Sequence, residues 1–575
     1  MSLSTLVRKG TFAMPEENDS PWLLDRHKRG LQNLDRMKRY GRQDAVDLVV
    51  VGAGAGGITL AQRLARAGWR IVILEKGPFW DPDRDWVSDE KGSGGIYWTD
   101  KRIIGGNDPI QMGKNNSGVG VGGSMTHFAG YTPRFHPSDF EVKTRDGVGA
   151  DWPISYWDLK ASFERLEREL PVAGQDWPWG DPHTYPHGPH PIAGAASVAW
   201  DGARSYGIEM RVGPVAITNG KFGNRPHCIY RGFCLQGCKV NAKASPLITH
   251  LPDAIEHGVE VRADSMAVRV EVDESSGRCT GVTYVRDGRE EFQAADAVAV
   301  CGYAIETPRL LLNSTSRRFP HGLANGNDFV GRYVMVQGAT QVAARFPYEL
   351  RMYKAPPPEV SSEQYYETDE SRGFARGFSI QTISPLPIGW AEHVVAEGHW
   401  GQSLREYMRD YNHWTVLGVL CELLPQAENR VTLASARDQY GMPVATFSHS
   451  LCENDKANIA FATKVTEQIW DGTQAQETLK IDRFAHLVGS CRMGFGAEDS
   501  VVDSSHRAWE VPNLIVADGS VFPTQGAANP ALVIMALSDR LAALMKRKRI
   551  SHGPAAVRES AARQTRLGRL RGLVA

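Results

Sequence analysis

The sequence lacks any apolar run near the roughly 18 residues that a helix needs to cross a bilayer, so it predicts no transmembrane segment. Residues 1–18 contain neither a continuous apolar stretch nor twin arginines, and on that ground we expect no export signal and a cytoplasmic protein. Cysteine is scarce, with 8 among 575 residues, which excludes a scaffold held together by disulfides. The formal net charge of −1 argues against a general nucleic-acid binder.

Charge is unevenly distributed along the chain. Residues 546–575 contain nine lysines or arginines and a single acid, Glu559, and we expect them to form a weakly ordered basic tail. Residues 1–44 precede the first recognisable motif and are interpreted as an N-terminal extension. The remaining length is sufficient for two domains with substantial cores.

The clearest motif is a glycine fingerprint between two apolar strands. Residues 48–51 and 71–74 read as buried strands, and residues 58–65 between them read as a helix. Gly52, Gly54 and Gly57 fit G-x-G-x-x-G, and Glu75 ends the second strand. These glycines permit a tight turn, close approach of a pyrophosphate and close helix packing, while the acid can bind a ribose diol. The segment therefore predicts a βαβ unit that binds a dinucleotide.

A second glycine-rich segment covers residues 115–124, where six of ten residues are glycine or serine. Such a composition suits close approach of the backbone to a flat ligand, and the alternative is a flexible loop. Further along, residues 259–312 read as a second block of the nucleotide-binding domain. Residues 333–480 show mixed strands without a glycine fingerprint, which favours a separate substrate-binding layer.

Three cysteines lie within eleven residues of one another, as Cys228-x₅-Cys234-x₃-Cys238. Thiolates this close together are soft ligands that select zinc or an iron–sulfur cluster. The alternatives are three reduced structural cysteines, or one disulfide with a free thiol. The other five cysteines are scattered and are expected to be buried apolar residues.

Two C-terminal motifs identify a family. One is His486-x-x-Gly-Ser-x-x-Met-Gly, and the other runs from Asn513-Leu-x-Val-Ala-Asp-Gly-Ser to Asn529-Pro530. With both glycine-rich segments, they resemble the glucose–methanol–choline (GMC) family of flavin oxidoreductases. Within that family the chain is most similar to the branch that holds the flavin subunits of bacterial sugar and gluconate dehydrogenases.

This resemblance implies an α/β protein in two parts. One is a discontinuous Rossmann-type FAD-binding domain at 45–145, 210–332 and 485–545, and the other is a substrate-binding domain on an antiparallel sheet at 146–209 and 333–484. It further implies that Asp518 and Gly519 form a second flavin contact. The residues expected to line the isoalloxazine are Asn116, Gly122, Gly123 and Ser124. His127 matches a histidine that carries flavin covalently in pyranose oxidases, but the dehydrogenase branch has a histidine there without that bond.

The implied activity is oxidation of a hydroxyl group of a sugar, glycoside or sugar acid, with hydride passing to flavin N5. His486 matches the family's proton acceptor, and a neutral imidazole suits that task. Asn529 matches the partner that orients the substrate oxygen. The rival interpretations are an oxidase of the same fold that reduces dioxygen to peroxide, and a lyase that contains FAD without using it for redox chemistry.

In the same branch, three cysteines at this spacing hold a three-iron cluster that passes electrons to a cytochrome. Cys228, Cys234 and Cys238 are therefore expected to bind such a cluster. A small subunit and a cytochrome are the expected partners, and export with a signal-bearing partner would make the protein periplasmic.

Overall fold

The computed structural model describes residues 34, 37–110 and 117–551, and within this part of the chain we find 17 strands and 11 α-helices. The strands are β1 (Leu48–Val51), β2 (Ile71–Leu74), β3 (Ile103–Gly105), β4 (Arg211–Val212), β5 (Val259–Arg262), β6 (Met266–Val272), β7 (Cys279–Arg286), β8 (Arg289–Ala294), β9 (Val298–Val300), β10 (Met335–Arg345), β11 (Val360–Ser362), β12 (Phe378–Ile383), β13 (Trp414–Glu422), β14 (Arg430–Arg437), β15 (Pro443–Ser448), β16 (Glu477–Val488) and β17 (Leu514–Val516). The helices are α1 (Ala55–Ala65), α2 (Val142–Asp146), α3 (Trp157–Glu169), α4 (Gly194–Ser205), α5 (Pro246–Thr249), α6 (Leu251–Glu256), α7 (Tyr303–Asn313), α8 (Pro387–Ala396), α9 (Gln402–Arg409), α10 (Glu453–Asp471) and α11 (Ala531–Ser551).

A five-stranded parallel sheet with the order β17-β9-β1-β2-β5 forms the nucleotide-binding layer. Four of its strands, β17, β9, β1 and β2, are short apolar runs that are buried along their whole length, as expected when helices cover both faces. The strand order reverses between β1 and β9, so their carboxyl ends diverge and leave a crevice for a ligand. The predicted βαβ unit is confirmed at β1, α1 and β2.

The second layer is a six-stranded sheet with the order β16-β10-β13-β12-β11-β4. All of its pairings are antiparallel, which confirms the predicted α/β fold with an antiparallel substrate layer. Helix α10 packs on one face, while the opposite face borders the cavity described below. Two of the predicted domain boundaries divide this sheet. The boundary between 209 and 210 assigns β4 to the FAD-binding domain, and the boundary between 484 and 485 falls inside β16.

Several local predictions need correction. The sequence predicts a hairpin of residues 267–272 and 279–285, and the structure adds a third strand, β8, to it, while residues 333–480 contain three helices besides their strands. Residues 546–551 continue α11 instead of starting a weakly ordered tail, whereas 552–575 and most of 1–44 lie outside the described residues. None of the helices in the described part combines the length and apolar content needed to cross a membrane.

Candidate active site

A cavity of about 330 Å³ lies where the carboxyl ends of the parallel strands meet the open face of the antiparallel sheet, and its size is typical of small-molecule sites. Ten residues that the sequence singled out line it: Gly52, Gly54, Glu75, Gly123, Ser124, His127, His486, Asp518, Gly519 and Asn529. Gly57 and Gly122 lie behind this lining. Asn116 falls outside the described residues.

The three glycines of the turn after β1 have different structural roles. Gly52 has a φ of +104°, and a Cβ there would clash with the carbonyl oxygen of Cys301. A Cβ on Gly57 would clash with the carbonyl oxygen of Gly52, so this glycine lets α1 start directly against the turn. A Cβ on Gly54 would meet nothing nearer than 3.9 Å, and this backbone therefore faces open space in the cavity. That arrangement fits a pyrophosphate at the N-terminus of α1.

Glu75 also organises the loops around the crevice. One of its carboxylate oxygens accepts the Ala53 N–H at 2.9 Å, and the other accepts the N–H groups of Gly77 and Gly120 at 2.9 and 3.0 Å. The second glycine-rich segment is thereby tied to the end of β2. The remaining lone pairs of this carboxylate are available to a ribose.

Asp518 follows β17 and links its own turn to the start of α7. Its oxygens accept the Ser520 N–H at 2.8 Å, the Tyr303 N–H at 2.8 Å and the Thr307 hydroxyl at 2.5 Å. Burial raises the pKa of Asp518, and these donors oppose that shift. The residue therefore fixes the start of α7 at the rim of the cavity.

His486 occupies a bulge at the end of β16. The register with β10 shifts between the pairs Met335–Val488 and Gln337–Ala485, and His486 itself has a φ of +56°. A non-glycine residue in this left-handed region is uncommon and often marks a functional position. The bulge directs the imidazole into the cavity instead of leaving it in the alternation of the sheet.

Gln337 determines which nitrogen of His486 carries the proton. The Gln337 Nε2 donates to the carbonyl oxygens of Gly526 and Ala528, which leaves its Oε1, 2.8 Å from His486 Nδ1, as an acceptor. The proton of the neutral imidazole must then lie on Nδ1, and Nε2 keeps its lone pair. Burial, with a smaller contribution from the Arg483 charge, lowers the pKa of His486 to about 4.

Asn529 completes the pair, because its Nδ2 lies 3.1 Å from His486 Nε2. Its Oδ1 is buried without a hydrogen-bond partner among the described residues, and so is Nε2 of His127. Burial and the nearby Lys243 lower the pKa of His127 to about 3, so this ring is neutral. Unpaired buried polar atoms that line one cavity indicate a polar ligand between them.

These residues fit FAD. The glycine turn and Glu75 would hold the pyrophosphate and ribose, and the segment from Gly123 to His127 would lie against the isoalloxazine, next to His486 and Asn529. Whether His127 bonds covalently to the flavin stays an open prediction.

The three cysteines lie outside the cavity lining, in a small apolar cluster with Tyr131, Val215 and Ile217. The Tyr230 N–H donates to the Cys228 sulfur at 3.4 Å, and the Lys243 N–H donates to the Cys238 sulfur at 3.3 Å. Burial raises the pKa values of Cys228 and Cys234 to about 11 and 12, so both side chains are protonated thiols when no metal is bound. Among the described residues, no three His, Cys, Asp or Glu side chains are arranged to hold a metal ion. The geometry therefore does not support the predicted three-iron cluster.

The sequence motifs did not indicate a role for three residues near this site, namely Gln337, Lys243 and Arg483. Lys243 is buried and donates to the carbonyl oxygens of Thr126, Phe128 and Cys234, which joins the flavin-side loop to the cysteine loop. None of the three belongs to a local motif. The groups around each of them come from segments far apart in the chain, so only the folded chain reveals their surroundings.

Comparisons with known proteins agree with this geometry. Family models described as GMC oxidoreductase match residues 189–334 and 425–538, and one described as an NAD(P)-binding Rossmann-like domain matches 50–79. The chain is 33% identical to 2-methyl-1,2-propanediol dehydrogenase of Mycolicibacterium austroafricanum, over 88% of this chain and 96% of that protein. It is 24% identical to the fructose dehydrogenase large subunit of Gluconobacter japonicus, over 87% and 97% respectively.

A crystal structure of pyridoxine 4-oxidase from "Mesorbium loti" superimposes with a TM-score of 0.61 at 17% identity, covering 87% of this chain and 99% of that one, which shows a shared fold. Fold, cavity and sequence matches agree, and the chain belongs to the GMC oxidoreductase family, whose members are FAD-dependent and act on CH–OH groups.

Proposed function

We propose that this protein oxidises a hydroxyl group of a sugar, a glycoside or a sugar acid to a carbonyl and passes the electrons to a redox partner. The proposal rests on the pair that His486 and Asn529 form in the cavity. His486 is neutral, with its free lone pair on Nε2 next to an amide N–H donor of Asn529. This is an arrangement for accepting a hydroxyl proton while holding the oxygen.

The residues act on one substrate oxygen. Bound FAD supplies the acceptor for the hydride that leaves the carbinol carbon. The substrate hydroxyl donates to His486 Nε2 in place of the Asn529 amide, which turns to donate to the same oxygen. His486 takes the hydroxyl proton on Nε2, and its Nδ1–H keeps its bond to Gln337. The proton and the hydride together account for the two electrons and two hydrogens lost by the alcohol.

The electron acceptor is the second part of the proposal. One relative is named as a large subunit, and that name supports a partner protein. No step of our proposal passes through an iron–sulfur cluster, because the described cysteines are not arranged to bind a metal. The competing function is an oxidase of the same family that hands the electrons to dioxygen and forms peroxide.

Anaerobic reduction of the bound flavin by a panel of sugars, glycosides, sugar acids and simple diols tests the proposed chemistry. We expect at least one sugar-derived alcohol to bleach the flavin, and His486→Gln to slow bleaching about 10²–10⁴-fold, the usual contribution of a general base. His506→Gln is the control, because His506 is a buried histidine that lies outside the cavity lining. A flavin that no alcohol bleaches, or a His486→Gln variant as fast as wild type, would contradict the proposal.

A second measurement separates the two acceptors. Turnover in air with peroxide formed in step with product identifies the oxidase. Turnover that requires an artificial dye or a cytochrome, with little peroxide, supports the dehydrogenase. The iron and sulfide content of anaerobically purified protein tests directly whether the three cysteines bind a cluster. We expect substoichiometric iron.

A further inference from the structure

Arg483 is a cation in the cavity wall without an anionic partner in the described part of the chain. Three strongly basic side chains line the cavity, namely Lys76, Arg102 and Arg483. Lys76 pairs with Asp100 at 2.7 Å, and Arg102 pairs with Glu306 at 3.0 Å. Among the residues that the structure describes, the Arg483 side chain forms neither an ion pair nor a hydrogen bond, whereas its backbone belongs to the β16–β10 ladder.

The position of Arg483 is at the substrate end of the cavity. It lies on β16 three residues before His486, and its charge lowers the pKa values of His486, His127 and His393. The cavity carboxylates are Glu75, Glu306 and Asp518, and each already accepts hydrogen bonds from other groups. The predicted pyrophosphate site is at the opposite end, beside the glycine turn.

The neighbouring strands add amide groups to the same wall. Arg483 on β16 pairs with Ala339 on β10, and Gln337 and Gln341 lie two residues to either side of Ala339. On the next two strands, Gly418 of β13 pairs with Gln381 of β12. Gly418 lets the Ile383 side chain pack closely here, since a Cβ on it would lie 2.8 Å from Ile383 Cγ1 and 3.5 Å from Gln341 Nε2. The Arg483 guanidinium and the amides of Gln341 and Gln381, which line the same cavity, form a pocket that suits an acceptor-rich group.

Physical chemistry favours an anion as the missing partner. The surrounding protein removes water from Arg483 and lowers its pKa, with only Tyr97 opposing that shift. A guanidinium that is desolvated without a counter-ion carries a large free-energy cost, which a bound anion removes. The planar fork of arginine matches a carboxylate with two parallel hydrogen bonds.

We propose that Arg483 binds the carboxylate of the substrate, so that the enzyme acts on hydroxy acids in preference to neutral alcohols. This inference rests on the proposed function and narrows its substrate class to anionic alcohols. The carboxylate lies against Arg483 while the carbinol carbon faces His486 and Asn529, and Gln341 and Gln381 contribute further donors. The flavin, the proton acceptor and the anion site then belong to one cavity.

The test measures binding without turnover, by calorimetric titration of the FAD-loaded protein with butyrate and with its neutral isostere butyramide. Neither probe carries a hydroxyl group, so neither can be oxidised as an alcohol. We expect butyrate to bind at least about tenfold more tightly, and Arg483→Gln to abolish this preference. Arg483→Lys should keep part of it. Lys480→Gln is the matched control, because it removes an exposed cation of the same strand that pairs with Glu467 instead of facing the cavity.

Two outcomes would overturn the inference. One is equal binding of the two probes by the wild type, and the other is a preference for butyrate that survives Arg483→Gln. A shift of the flavin reduction potential in Arg483→Gln without any change in the preference would also overturn it, since Arg483 would then act on the cofactor. Flavin bleaching by neutral sugars in a protein that does not prefer butyrate would reject the anion site and leave the proposed function intact.

Discussion

At the scale of single residues, the Gln337 amide controls the tautomer of the His486 imidazole, the proposed proton acceptor. Its NH₂ group is committed to two carbonyl oxygens of the segment before Asn529, so its oxygen can only accept from His486. An imidazole held as the Nδ1–H tautomer is ready to accept a proton at Nε2 before substrate arrives. A hydrophobic residue of similar length would leave the tautomer undetermined.

Replacing Gln337 by Met tests this role. We expect kcat/KM for flavin reduction to fall roughly 10- to 100-fold, because part of the imidazole population would present the wrong nitrogen. Gln337→Glu places a negative charge beside Nδ1 and should raise the pKa of His486, so its acid limb should move to higher pH. A pH profile that Gln337→Glu leaves unchanged would show that Gln337 only supports packing.

The depressed pKa of His486 makes a second residue-scale prediction. The proposed base must be neutral to accept a proton, and a pKa of about 4 keeps His486 neutral throughout the physiological range. The pH profile of anaerobic flavin reduction should therefore stay flat down to about pH 5, whereas an ordinary imidazole would lose half its activity near pH 6.5. Arg483→Gln removes a neighbouring positive charge and should move the acid limb upward. A wild-type midpoint near pH 6.5 would contradict this assignment.

At the scale of elements, turns and bulges place the reactive groups while the strands supply rigidity. The glycine turn after β1 packs against the end of β9, and the bulge in β16 takes His486 out of the alternating pattern. Gly123 is equally constrained, because a Cβ on it would lie 2.6 Å from the Cα of Gly54. The two glycine-rich segments thus touch, and the cofactor site forms along their line of contact.

Gly52→Ala and Gly68→Ala form a matched pair at this scale. Both positions have positive φ, +104° and +78°, but a Cβ on Gly68 would meet no atom within 4 Å. The Gly68 variant should lose about 1 kcal/mol of unfolding free energy from backbone strain alone. The Gly52 variant should lose more and should also bind FAD poorly, because its Cβ displaces the end of β9. Thermal unfolding with and without added FAD measures both effects, and equal behaviour of the two variants would contradict the role given to the turn.

At the scale of the whole molecule, a buried ionic cluster joins the segments that surround the site. The fully buried Arg376 binds Asp139, Asp146 at 2.9 Å and Glu422 at 2.9 Å. Asp139 also accepts the hydroxyl of Tyr366 and the N–H of His136. The cluster therefore connects β13, α2 and the segment before it, which come from distant parts of the chain.

Arg376→Met leaves these carboxylates buried without their cation. We expect a loss of about 3–5 kcal/mol in unfolding free energy, the usual effect of removing one partner of a buried ion pair. Burial already raises the pKa of Glu422, and loss of Arg376 raises it further. The folded variant then binds more protons than the wild type, so its deficit should shrink as pH falls. Denaturant unfolding at pH 8 and pH 5 measures this.

Arg345→Met is the control for that experiment, because Arg345 pairs with Glu477 at 3.0 Å on the surface. Its loss should cost less than about 1 kcal/mol at either pH. If Arg376→Met loses as little unfolding free energy as Arg345→Met, or if its loss is larger at pH 5 than at pH 8, the buried cluster contributes little to stability.

The sequence alone determined the βαβ unit, the α/β class and the family motifs, because these depend on contacts close together in the chain. Apolar runs form buried strands where helices cover them, and the spacing of Gly52, Gly54 and Gly57 by itself predicts the turn between β1 and α1. It also predicted His486 and Asn529, which the structure brings to 3.1 Å across 43 positions of sequence.

The tertiary structure decided what depends on partners distant in sequence. The proton position on His486 comes from Gln337, 149 residues away, and the second task of Glu75 comes from the N–H of Gly120. The unpaired state of Arg483 could be recognised only after every neighbouring carboxylate had its own partner. The cysteine spacing was equally insufficient, because three thiols close in sequence bind a metal only when the fold directs their sulfur atoms to one point. Local sequence fixes which groups are present, whereas packing fixes what each of them faces, and the chemistry of the site follows from both.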